Sequence, residues 1–198
     1  MTELWLIRHG ETDWNVEGRW QGHADIPLNA NGIAQAVTMA EKLQWIPFAA
    51  VYASDLIRAR ETAVILAKKI KLPVNREPRL REIDQGEWEG MLVGEIEARY
   101  AERFQQRSKD PFSVAPPGGE TALQVLTRAC AAIEDIVQSY PQEEVAVIGH
   151  GFVFALLRLH YQNLPKEKLW DLIPPNCEPY RLSVREEEVK TYRPAGLP

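Results

Sequence analysis

Leu4-Trp5-Leu6-Ile7-Arg8-His9-Gly10-Glu11-Thr12 is an apolar run that stops at an arginine, a histidine and a glycine. Four consecutive large apolar residues with no helical period and a turn signal behind them predict a short, fully buried strand. Arg8 and His9 then stand at its carboxyl end, the edge of an open α/β sheet at which ligands bind. On this stretch alone two readings stand: His9 and Arg8 belong to a site, or His9 merely ends a strand and Arg8 is solvated. The pattern recurs at Val145-Ala146-Val147-Ile148-Gly149-His150-Gly151, a second buried strand that ends in a histidine beside a glycine.

Between the two lies a third short apolar run, Phe48 to Ala53, followed by Ser54-Asp55 as N-cap residues and a helix to about Lys71. Arg58 falls in the first turn of that helix, where free backbone N–H groups and the helix dipole favour an anion. The alternative is a solvated Arg58 paired with Glu61 or Asp55. Ile33, Val37, Ala40 and Leu43 recur at helical spacing behind Asn29 as N-cap, and Leu123, Leu126, Cys130, Ile133 and Val137 do so from Thr121 to Tyr140-Pro141. Phe152 to His160 is a further apolar helical run. Buried strands alternating with helices predict an α/β fold, three-layer α/β/α with a mostly parallel central sheet. All the strand ends named above then share one edge.

The remaining segments are read around that frame. Trp14 to Pro27 is a long loop with Asn15, Arg19, Gln21 and His23 as polar candidates, His23 facing either the substrate or solvent. Val74 to Leu80 reads as an edge strand interrupted by Pro78. Arg81 to Gly90 packs four carboxylates beside Ile83 and Trp88, with Glu82 at the end of a strand-like run. Gly94 to Arg107 reads as a polar helix with a thin apolar face of Ile96, Tyr100 and Phe104, lying over the body rather than within it. With the loop of prolines and glycines that follows, residues 90–119 form a small helical cap insertion in a single domain spanning 1–198. Leu169, Trp170 and Leu172 predict a short helix, and Tyr180–Val184 and Glu188–Tyr192 two edge strands turning at Glu186-Glu187.

A chain of 198 residues, 45% hydrophobic and 26% charged, is long enough for one sizeable core. A net charge of -5 and a pI near 5.5 give no global attraction to nucleic acid or an anionic membrane. The opening apolar run is far shorter than a signal-peptide core, and no run approaches a membrane span, so a cytoplasmic location is expected. Two cysteines are too few for a disulfide framework; Cys130 reads as a buried thiol and Cys177 has no assigned role. The four histidines, His9, His23, His150 and His160, show no close-spaced pair of metal ligands. His160, on an apolar helix face, reads as structural.

Two imidazoles, two guanidiniums and a carboxyl group brought to one edge suit phosphoryl transfer. Its transition state spreads negative charge over equatorial oxygens that arginine forks bind, while a neutral imidazole attacks and a carboxylic acid protonates the leaving alkoxide. The segment Arg8-His9-Gly10-Glu11-Thr12 with Asn15 resembles the signature of the histidine phosphatase superfamily, which includes the phosphoglycerate mutases. Ser54 to Ala59 with Thr62-Ala63, Leu80-Arg81-Glu82 with Gly86 and Trp88, and Gly149-His150-Gly151 are similar to its further motifs, in the family's order.

The resemblance implies His9 as the nucleophile that becomes phosphohistidine, Glu82 as proton donor, and Arg8, Arg58 and His150 as the phosphate pocket. Asn15, Gln21 and Gly22 are implied as further phosphate or substrate contacts. It implies no metal and no cofactor. The mechanism requires the second ring nitrogen of His9 to be held by a backbone carbonyl, and Gly10 to let the chain turn closely past the phosphate. The short cap and Ile83 to Trp88 resemble the phosphatase branch, so a phosphomonoesterase is expected. A cofactor-dependent mutase and a non-catalytic phospholigand-binding module are the other readings. The expected partner is a small phosphorylated metabolite: phosphoserine, phosphoglycerate, a sugar phosphate or α-ribazole phosphate. Neither nucleic acid nor membrane is expected, and a homodimer is the macromolecular association left open. Trp14, Trp20, Gln21, Gln85, Trp88 and the cap are expected around the substrate's remainder.

Overall fold

The computed structural model describes residues 1–189. Its centre is a five-stranded sheet in the order β3-β2-β4-β1-β5. The strands are β1 (Thr2–Arg8), β2 (Phe48–Ala53), β3 (Val74–Arg76), β4 (Glu144–Gly149) and β5 (Pro179–Val184). The first four are mutually parallel, and β5 runs antiparallel along the free side of β1. Arg8 therefore lies in register with Gly149, and Ile148 with Ala53, so the carboxyl ends of β1, β4 and β2 stand side by side.

Alternation along the strands divides the apolar residues between two faces. Leu4, Leu6, Val145 and Val147 pack with α5 (Ala122–Ser139) and α6 (Gly151–Tyr161). Ile7, Val51, Ala146 and Ile148 pack with α2 (Ala30–Leu43) and α3 (Ile57–Ile70). These strand residues are fully buried, the Val, Leu and Ile side chains each contributing about 1.5–3 kcal/mol relative to exposure, which is why the runs read as continuous rather than alternating. The expected three-layer arrangement is thus present.

Local chemistry sets the helix starts. Asn29 caps α2 by accepting from the Gly32 N–H at 2.8 Å, and Thr121 with Gln124 forms a capping box at the start of α5. Three expectations need correction. Helix α3 begins after Leu56, not at Ser54-Asp55, because Asp25 Oδ1 reaches across to accept from the Ile57 N–H at 2.6 Å. The loop from Trp14 holds a short helix, α1 (Asp13–Glu17), nucleated by the reciprocal Thr12–Asn15 capping box. The expected edge strand from Val74 stops at Arg76, and a 3₁₀ turn, Pro78–Leu80, takes over where proline cannot donate to a ladder.

The turn expected at Glu186-Glu187 is also corrected. Glu186–Val189 is a helical turn, α7, and residues 190–192 lie outside the described ones. The thin-faced helix is α4 (Val93–Lys109), kinked at Tyr100, and Lys166–Leu172 is a 3₁₀ helix. Among the described residues no helix is long and apolar enough to cross a membrane.

Candidate active site

Strand pairing alone assembles the centre of the site. The His9 N–H donates to the Gly149 carbonyl at 3.0 Å and the Ser54 N–H to the Ile148 carbonyl at 3.0 Å, so the residues following β1, β4 and β2 are locked together. The His9 and His150 rings lie 5.3 Å apart between centroids, and both side chains are buried. Nδ1 of His9 is 2.7 Å from its neighbour's carbonyl, Gly10 O, which fixes Nδ1 as the protonated nitrogen and leaves Nε2 with the lone pair. His150 Nε2 lies 2.8 Å from Ser54 Oγ, which also accepts from the Leu56 N–H at 3.4 Å, so Ser54 ties the site to the turn that enters α3. His150 Nδ1 is buried with no hydrogen-bond partner.

Arg58 is buried and pairs with neither Glu61 nor Asp55. It donates through Nη2 to Gly22 O at 2.8 Å and through Nη1 to Ala24 O at 2.7 Å, while Glu61 accepts from the Leu28 N–H and Asp55 from Arg81. Gly22 enters the site through that carbonyl. With φ +51° and the Glu89 carboxylate and Gln85 Cβ close to where a Cβ would stand, glycine is strongly favoured there. Arg8 donates through Nη1 to Pro174 O at 2.9 Å, and Nε of Arg8 and of Arg58 are both buried without partners. Unpartnered donors on two guanidiniums, beside an imidazole nitrogen without a partner, are the inventory a tetrahedral oxyanion needs.

The fields are consistent with that use. Burial, then the charges of Arg58 and Arg8, hold His9 well below the ordinary histidine range against the opposing pull of the Gly10 carbonyl. Burial and Arg58 do the same to His150. His9 is therefore neutral and nucleophilic at neutral pH. Arg58 is lowered by burial to about 10, partly offset by Glu82, Asp25 and Glu89, and stays charged.

Glu82 arrives from outside the sheet and is held firmly. Its Oε1 accepts from the Ile83 N–H at 2.9 Å and its Oε2 from the Phe152 N–H, in the first turn of α6, at 3.3 Å. Arg128, on α5, donates to the carbonyls of Arg79, Arg81 and Glu82 at 2.6–2.8 Å and is itself paired with Glu120. The His23 Nε2 stands 2.8 Å from the same Glu82 carbonyl, so the half-buried His23 side chain braces the backbone at Glu82 while keeping part of its surface in solvent. Arg128 and Glu120 escaped the sequence reading. Their signal is a lone arginine beside the apolar stripe of α5, eight residues after a glutamate that follows two glycines.

The other expected contacts are placed as follows. Asn15 Oδ1 is engaged by the N–H and hydroxyl of Thr12 in the α1 cap, which uses its carbonyl oxygen rather than its amide nitrogen. Gln21 Oε1 and Gln85 Oε1 are buried without partners. Trp88 is wholly buried and packs edge-on to Trp20 at 5.7 Å, with Phe104 and Tyr100 completing an aromatic cluster that fastens α4 to the loop. It anchors α4 instead of lining open space. Gly10 also has a different reason from the expected one: a Cβ would stand 2.4 Å from the Gly32 carbonyl, so it is the start of α2 that requires glycine there.

Arg107 was not anticipated. It continues the inner face of α4 after Ile96, Tyr100 and Phe104, is buried, and lies over the rings of Trp20 at 5.1 Å, Trp88 at 5.6 Å and Phe152 at 5.9 Å. Burial lowers it to about 10, with the Glu82 charge opposing. The spacing of that stripe was visible; an arginine as its fourth member was the signal.

An α/β fold whose parallel strand ends gather two neutral imidazoles, two guanidiniums and a carboxyl group defines a phosphoryl-handling enzyme. The chain belongs to the histidine phosphatase superfamily (branch 1), whose family profile matches residues 4–193. It is 33% identical over 170 residues to phosphoserine phosphatase 1 of Hydrogenobacter thermophilus, covering 86% of this chain and 81% of that one. It is 33% identical over 167 residues to the adenosylcobalamin/alpha-ribazole phosphatase of Escherichia coli, covering 84% and 82%. The solved mycobacterial glucosyl-3-phosphoglycerate phosphatase in complex with VO3 superposes with a TM-score of 0.86 at 32% identity, over 94% of this chain and 93% of that one. The protein is thus a phosphoric monoester hydrolase of the phosphoglycerate mutase-like family.

Proposed function

We propose that the protein is a metal-independent phosphomonoesterase for small phosphorylated metabolites that works through a phosphohistidine at His9. The reading rests on one observation above the others: His9 is buried, neutral and tied through Nδ1 to Gly10 O, so Nε2 carries the attacking lone pair beside two arginines with unpartnered donors. Nε2 forms the bond to phosphorus as the ester P–O bond breaks, and protonated Glu82 gives its proton to the leaving alkoxide. Water then attacks the phosphohistidine, the Glu82 carboxylate takes the proton from that water, and inorganic phosphate and neutral His9 are released. Arg8, Arg58 and His150 hold the equatorial oxygens, and Asn15, Gln21 and Gly22 border them; Gly22 acts by fixing Arg58. The guanidiniums supply the positive charge that a divalent cation supplies elsewhere.

Residues 90–119 form the cap over the leaving group, within a single domain. Candidate substrates are phosphoserine, phosphoglycerate, sugar phosphates and α-ribazole phosphate. The test is phosphate release from this panel with a chelator present throughout. Activity unchanged by the chelator is expected. Loss of activity on chelation, restored by a divalent cation, would overturn the metal-free reading.

A further inference from the structure

Arg107 has no role in the chemistry just described, yet the fold takes it out of water. Its side chain is 2% exposed; Nε and Nη2 are buried with no hydrogen-bond partner, and among the described residues it forms no ion pair. A buried guanidinium left with unpaired donors is expensive unless something anionic meets it. Three aromatic rings hold it in place by their faces, which orients the fork without consuming its N–H groups. Its position identifies the side of the site it serves. Phe152, whose ring it covers, donates its backbone N–H to the Glu82 carboxyl group. Through Phe152, Arg107 is thus joined to the residue on whose side the leaving group departs in the proposed mechanism.

We infer that Arg107 binds a carboxylate carried by the leaving group, so that the preferred substrates are small phosphorylated carboxylic acids. A planar guanidinium with two free donors matches a carboxylate bidentately, and an aromatic-walled, desolvated setting strengthens the pairing. The inference rests on the proposed orientation of substrate between His9 and Glu82. It also separates the candidates: phosphoserine and phosphoglycerate satisfy it, whereas a neutral sugar phosphate leaves Arg107 unpaired.

The experiment compares matched pairs, 3-phosphoglycerate against glycerol 3-phosphate and O-phosphoserine against O-phosphoethanolamine, with p-nitrophenyl phosphate as a reporter that needs no carboxylate. The wild-type kcat/KM is expected to favour the carboxylated member of each pair by about 10²-fold. In Arg107→Gln that preference should fall below about threefold while p-nitrophenyl phosphate hydrolysis holds within about threefold, and Arg107→Lys should keep part of the preference. Wild-type discrimination is read without any variant, so a poorly folded Arg107→Gln leaves the test intact. Wild-type enzyme that hydrolyses both members of each pair equally, or an Arg107→Gln with the wild-type Tm that keeps the full carboxylate preference, overturns the assignment. His9→Ala that still hydrolyses p-nitrophenyl phosphate would instead sink the phosphohistidine reading.

Discussion

The two sides of the site are built by different means. The phosphoryl side is made of strand ends: Arg8 and His9 after β1, His150 after β4, and Ser54 with Arg58 after β2, held in register by the sheet itself. The proposed leaving-group side is bound instead by side chains: Glu82 clamped through its backbone carbonyl by Arg128 and His23, Arg107 from α4 seated on Trp20 and Trp88, and the Phe152 N–H from α6. The first construction is set by backbone pairing between strands, and fits chemistry that must be the same for every phosphomonoester. The second can change a helix face without disturbing the sheet, which fits selection among leaving groups.

Changes on each side should therefore read out differently. The largest contrast is expected at Glu82. Glu82→Gln should lower kcat/KM by about 10²- to 10⁴-fold on alkyl phosphates, whose alkoxide needs a proton, and far less on p-nitrophenyl phosphate. Equal losses on both would mean that Glu82 acts on the phosphoryl side after all, and the division would fail. Next comes the roughly 10²-fold carboxylate preference assigned to Arg107.

The smallest effect concerns stability and belongs to the phosphoryl side. His9 and His150 are both held below their ordinary pKa by burial and arginine charges. Below about pH 6.5 the unfolded chain binds protons at these positions that the folded chain refuses, so their contribution is complete above that pH and is lost as the pH falls. Each histidine should steepen the loss by up to about 1.4 kcal/mol per pH unit below 6.5. The drop in Tm between pH 7.5 and 5.5, measured without phosphate, should be smaller in His150→Gln than in wild type. An identical drop would place no titration penalty on the strand-end imidazole.

The same division explains what the sequence disclosed. His9, His150 and Arg58 were legible because a buried strand ends where its apolar run ends, and a parallel sheet puts such ends together. The thin stripe of α4 was legible for the same reason: periodicity is a local property. What stayed hidden required knowing which segments meet. Ser54 reads as a cap because serine before a helix usually is one, yet Asp25, from the loop before α2, takes the Ile57 N–H, and the Ser54 hydroxyl bonds His150 as well as the Leu56 N–H. Gly10 is dictated by the Gly32 carbonyl, a residue 22 positions away whose approach no spacing announces. Arg128 reads as a surface residue of an amphipathic helix until the Arg79 to Glu82 carbonyls are placed against it. Trp88 was expected at the substrate and instead cements α4 in place.

The central claim is that His9 itself receives the phosphoryl group, and the most direct measurement is to quench the enzyme in alkali during turnover and map the phosphorylated peptide by mass spectrometry. A base-stable, acid-labile phosphoryl group on the peptide containing His9, formed and lost at rates compatible with turnover, is the predicted result. Active enzyme that shows no phosphorylated histidine under these conditions, or that carries the group at His150, would contradict it.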